Sequence, residues 1–105
     1  MVNRIVWLPA AQRNLNSIYK FISKKSVQAA IKTHNKILDA AEPLLNFPQM
    51  APIEPLLEDR DKTYRSLIVD KYKILYYFEN NAIYIAGVWD CRQNVKRLKR
   101  LFRSR

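Results

Sequence analysis

Several things are scarce in this sequence, and each scarcity excludes a class of protein. A single cysteine, Cys91, rules out an internal disulfide framework, and no Cys/His cluster has the spacing of a zinc site. One glycine in 105 residues argues against a disordered or loop-dominated chain. No apolar run approaches the ~20 residues of a membrane span. The opening MVNRIVWLPA has no apolar stretch long enough for a signal peptide. These absences lead to the expectation of a soluble, cytoplasmic protein without metal or other cofactor and with no membrane partner. Acid is also missing from both ends. Residues 1–38 carry seven Lys/Arg and no Asp/Glu, and residues 91–105 repeat that balance. All nine acids lie between Asp39 and Asp90, among only five bases. The net charge of +10 is therefore polarised, which favours a nucleic acid, a ribosome or an acidic protein as partner without choosing among them.

What is present fits one domain spanning residues 1–105, since 49% of the residues are apolar and can fill a single core. Residues 4–8 (RIVWL) read as a short strand, and Pro9 suits the first turn of a helix. Leu15, Ile18, Tyr19 and Ile22 fall on one helical face. Lys24 and Lys25 break the period, and Ser26 is placed to cap a second helix. Along that helix Val27, Ala30, Ile31, His34, Ile37, Leu38 and Ala41 repeat at helical spacing, so the two helices form an antiparallel hairpin. Pro43 ends or kinks the second helix near Ala41. Residues 46–62 hold three more prolines and read as an irregular connection, too long to be idle.

Three strands follow, at 64–69, 72–78 and 82–90, joined by Asp70-Lys71 and by Glu79-Asn80-Asn81. Ile74, Tyr76 and Phe78 share the face expected against the helices, while Lys73, Leu75 and Tyr77 make a mixed outer face. The last strand is apolar on both sides, as a central strand would be. Residues 91–105 form a basic helix or tail, in which Val95, Leu98, Leu101 and Phe102 make a narrow stripe among cations. The predicted order is β-α-α-β-β-β-α, an α+β domain with a small, mostly antiparallel four-stranded sheet on an N-terminal helical hairpin.

Lys73 and Arg92 are the candidate functional cations, expected to converge with the tail on one exposed patch. Arg65, beside Tyr64, can line the same surface. Bland readings stand beside these: Arg92 paired with Asp90, Lys73 merely solubilising, Arg65 in an edge-strand salt bridge. Lys96, Arg97, Lys99, Arg100 and Arg103 extend the positive surface, where seven cations in 92–105 meet no acid. His34, on the apolar stripe of the second helix, reads as a core histidine, and most of the strand tyrosines read as sheet residues rather than base-stacking platforms.

In order along the chain, IVWLPAA, L..IY.FI, LLNFP, YRSLIV, KYKILYYF and IYIAGVWDCRQN resemble the RelE/ParE superfamily, the toxins of type II toxin–antitoxin (plasmid stabilisation) modules. The resemblance implies a growth-inhibiting toxin, neutralised in a hetero-oligomer by a cognate antitoxin whose acidic segment folds on binding. Two targets occur in such a superfamily: DNA gyrase, and messenger RNA on the ribosome. An endoribonuclease of this kind works without metal, and its catalytic set maps onto Arg92, Lys73, Arg65 and Glu54, the last within Glu54-Pro55-Leu56. The Tyr or His-Tyr pair of the endonucleases has no counterpart near Leu98, and Lys73 lacks the planar fork of an arginine. These departures lean the reading towards a gyrase inhibitor that does no chemistry. A basic nucleic-acid-binding module, or a toxin that has lost its activity, is the remaining alternative.

Overall fold

The computed structural model describes residues 4–92. The predicted basic helix from Val95 to Phe102, with Lys96, Arg97, Lys99, Arg100 and Arg103, lies outside them. Strand β1 (Arg4–Trp7) leads directly into helix α1 (Pro9–Ser23), which starts at the proline. Proline at the first helical position loses nothing, because its missing N–H would have had no helical partner. The Ser26 side chain accepts a hydrogen bond from the Ala29 N–H at 3.1 Å and caps α2 (Val27–Ala41) as predicted. Pro43 stops α2 at Ala41 and the chain continues as a 3-10 turn, Glu42–Leu45, which buries Leu44.

Strands β2 (Arg65–Val69), β3 (Tyr72–Glu79) and β4 (Ala82–Asp90) form an antiparallel meander. β1 joins it in parallel beside β4, giving the order β1-β4-β3-β2 with β4 inside and β2 at an edge. The β3–β4 turn places both Asn80 and Asn81 at positive φ (52° and 62°), the requirement of a two-residue turn matched to strand twist. Asp70 takes positive φ (55°) at the β2–β3 turn. Asn and Asp occupy this region at lower cost than other non-glycine residues.

The main core lies between the helical hairpin and one sheet face, with Leu15, Ile37, Ile74, Tyr76, Ile83, Ile85 and Val88 among its members. A bulge sets this composition. Leu75 pairs with Gly87 and Tyr76 with Ile85, so Ala86 is an extra residue in β4. The alternation is thereby reset, and Ile83, Ile85 and Val88 share a face that strict period-two counting would assign to Gly87. Asn14 of α1 meets the reset strand, its Oδ1 accepting from the Val88 N–H at 3.1 Å.

Three expectations change. Phe78, predicted to be in the core, is partly exposed near the tip of the β3–β4 hairpin. Val27 and Ile31 lie on the predicted stripe of α2 but remain exposed, because two helices alone do not cover that flank. The outer sheet face is not simply mixed. Leu75 is fully buried there in a second cluster with Leu57 and Trp89, against which Leu56 and Tyr64 pack. That cover comes from the 46–62 connection, which contains a 3-10 turn (Pro55–Leu57) and a bridge from Ile53 to Arg65.

Candidate functional site on the outer sheet face

The connection is tied to the sheet at several points. The Tyr76 hydroxyl donates to the Pro48 carbonyl at 2.9 Å, and an Arg65 Nη1–H donates to the Ala51 carbonyl at 2.7 Å. The Ser66 N–H reaches the Pro52 carbonyl and the Glu54 N–H reaches the Tyr64 carbonyl. Glu54 then turns inward. It is only 1% exposed, yet it carries a carboxylate. Such a group persists in a dry site only if it is both paired and hydrogen-bonded.

Its partners meet that demand. Lys73 Nζ donates to Oε1 at 2.6 Å, and the Leu56 N–H donates to Oε2 at 3.0 Å. The Ser66 hydroxyl adds a further hydrogen bond. Burial pushes the Glu54 carboxyl up, but the Lys73 hydrogen bond, the Leu56 amide, the Lys73 charge and Ser66 outweigh it. The net effect holds the carboxyl below its ordinary value. Glu54 also caps the 3-10 turn through Leu56, so one side chain fixes both the turn and the clasp to β3. Lys73 was legible as a candidate, and so was Glu54; their mutual pairing was not. Ser66 escaped notice altogether, since a serine in a strand carries no signal of its own.

Arg92 is held elsewhere. Its Nε and Nη2 donate to the two Asp90 oxygens at 3.0 and 2.7 Å, and its own N–H donates to Asp90 Oδ1 at 2.9 Å. This fork grips Asp90 and depresses its carboxyl, chiefly through the hydrogen bonds from the Arg92 side chain. Register then separates the two cations. Lys73 pairs with Trp89 on the outer face, whereas Asp90 pairs with Tyr72, which belongs to the main core on the other face. The expected convergence of Lys73 and Arg92 on one exposed patch is therefore corrected. Adjacent residues in a strand point to opposite faces, and each cation takes its nearest carboxylate. Arg65 likewise turns towards the connection rather than outward.

His34, expected in the core, is half-buried beside Tyr19, the rings edge-to-face with centroids 6.1 Å apart. On the outer face Tyr77 stacks on Tyr84 (5.2 Å) and meets Tyr64 edge-on (5.6 Å), as sheet tyrosines do. Cys91 is a free, exposed thiol. Among the described residues no group of His, Cys, Asp and Glu is arranged to hold a metal ion, and no helix is long and apolar enough to cross a membrane.

On this frame of a two-helix hairpin and a four-stranded sheet, the Lys73 and Arg92 cations are each held in an ion pair, with Glu54 and Asp90 respectively. The family described as the ParE toxin of the type II toxin–antitoxin system parDE matches residues 5–95, and the chain belongs to that family. Among solved structures it is similar to one titled "Chromosomal ParDE TA system from P. aeruginosa", with a TM-score of 0.68 and 18% identity. That likeness covers 84% of this chain and 94% of the other, and it shows a shared fold. No curated protein matches the sequence. Membership of the family makes the chain a type II toxin with an antitoxin as partner.

Proposed function

We propose that this toxin inhibits DNA gyrase by binding, in the cytoplasm, and that an acidic segment of its cognate antitoxin neutralises it by folding onto the positive surface. One observation carries the choice of target class: Glu54 and Lys73, the base and the phosphate clamp of the endoribonuclease alternative, hold each other at 2.6 Å. A carboxylate stabilised in its charged form is a weak proton acceptor, and a lysine committed to it is not free for a phosphorane-like transition state. Arg92 is similarly engaged by Asp90, although its exposed guanidinium can still meet a target at the surface. The cations Lys96, Arg97, Lys99, Arg100 and Arg103 are proposed to extend that contact.

A translating extract separates the readings. The purified chain is expected to leave a reporter messenger RNA intact on the ribosome, and Glu54→Gln and Arg92→Ala are expected to change nothing in that assay. Cleavage by the wild type that disappears in either variant would establish the endoribonuclease instead. Induction of the gene without its antitoxin should arrest growth; a nucleic-acid-binding module or an inactive toxin would not do so.

A further inference from the structure

From Pro43 to Leu57 the chain has one charged residue, Glu54, and that one is buried. Fifteen residues without an exposed charge are unusual in a protein carrying 19 Lys/Arg. The same stretch presents Phe47, Met50 and Ile53 to solvent, and Ile68 of the neighbouring edge strand is 56% exposed beside them. Met50, Pro52, Ile53, Leu67 and Ile68 line a cleft of about 400 Å³ at this edge. Glu54 and Lys73 line the cleft too, as a pair that neutralises itself, and the other nearby cations are turned away. Arg65 donates to the Ala51 carbonyl, and Lys71 leans over the Tyr72 ring on the other face.

The backbone of the same edge is half open. The Ser66 N–H points away from β3 and is taken by Pro52. By the two-residue period of a strand, the Ile68 N–H and carbonyl point the same way, past the end of the Pro52–Glu54 cover. Among the described residues neither group has a partner, and such an open donor and acceptor, flanked by apolar side chains, form a template for another strand.

We infer that a second copy of this chain docks here in an isologous contact. The two β2 strands run antiparallel, with Ile68 at the two-fold axis exchanging both backbone bonds with its counterpart, and Met50 and Ile53 closing over it. Charge selects the occupant. A +10 protein that meets its own copy through either basic end brings cations together, whereas this strip brings together two surfaces whose charged groups, Glu54 and Lys73, neutralise each other. An acidic partner is drawn instead to the basic ends, since Lys73, the cation on this strip, is already committed to Glu54. The inference concerns pairing of the toxin with itself and does not depend on its target.

Sedimentation of the full chain across a dilution series tests it. A small apolar contact predicts a reversible dimer of roughly micromolar affinity. Its association strengthens as salt screens the repulsion between the two copies, and the Ile68 amide exchanges more slowly as concentration rises. Ile68→Asp should weaken association by at least about tenfold with the circular dichroism of the fold unchanged. Phe21→Asp, at an equally exposed apolar residue on the helical hairpin, should leave it intact. A monomer at every concentration overturns the inference, even if the Ile68 amide is protected, since another part of the chain would then cover the edge. So does a dimer that dissolves in salt, or one broken by Phe21→Asp and not by Ile68→Asp.

Discussion

Trp89→Ala is expected to lower folding stability by about 3–4 kcal/mol, in the lower half of the range for removing a buried tryptophan. The indole fills the small cluster with Leu57 and Leu75 on the outer face, and little else is available to collapse into the space it leaves. The loss falls unevenly. The helical side of the sheet keeps its larger core, while the 46–62 connection loses the surface it rests on. Urea unfolding should therefore show the lower midpoint, and limited proteolysis should cut within 46–62 well before the helices. A loss below about 1 kcal/mol would mean that the cluster does not hold the connection.

Lys73→Met should cost about 2–3 kcal/mol, somewhat under the usual penalty for orphaning a buried ion because the Lys73 side chain is partly exposed. The cost arises mainly from Glu54, left charged in a dry site with only Leu56 and Ser66 to satisfy it. Two consequences separate this from a mere loss of surface charge. Glu54→Met combined with Lys73→Met should recover most of the stability, because no buried charge remains. The pH dependence should also change. In the wild type the Glu54 carboxyl sits below the ordinary value of 4.5, so its stabilisation is complete above that value. It is lost as pH falls through the lower folded value. Asp90 contributes in the same direction through Arg92. Wild-type stability should thus fall in that acid range, whereas the double variant should lose only the Asp90 part. A Lys73→Met protein as stable as wild type would show that the clasp contributes nothing.

Local signals made the frame readable. Pro9, Ser26 and Pro43 act within a turn of themselves, so the bounds of both helices could be placed from composition and capping chemistry. The Asn80-Asn81 pair announced its turn in the same way. The bulge at Ala86 left no such mark, although it fixes the facing of Val88, Trp89 and Asp90. It sets which side of the sheet each charged neighbour occupies, and hence that Lys73 and the carboxylate holding Arg92 lie on different faces. The Glu54–Lys73 clasp was out of reach for another reason. Nineteen residues separate the partners in the chain, and only the fold of the 46–62 connection over Leu75 brings them together. Prolines predicted that this stretch would be irregular, but irregular backbone says nothing about where it rests.

Acting on gyrase without chemistry, as a surface that binds, is the central claim, and a supercoiling assay tests it most directly. Purified gyrase, relaxed plasmid and ATP are incubated with increasing amounts of the toxin, alone and after mixing with its antitoxin. Supercoiling should be inhibited in proportion to toxin bound and restored by the antitoxin, and Glu54→Gln, if folded, should inhibit as well as wild type. Gyrase running unimpeded at saturating toxin, while the same preparation cuts messenger RNA on ribosomes, would contradict the account.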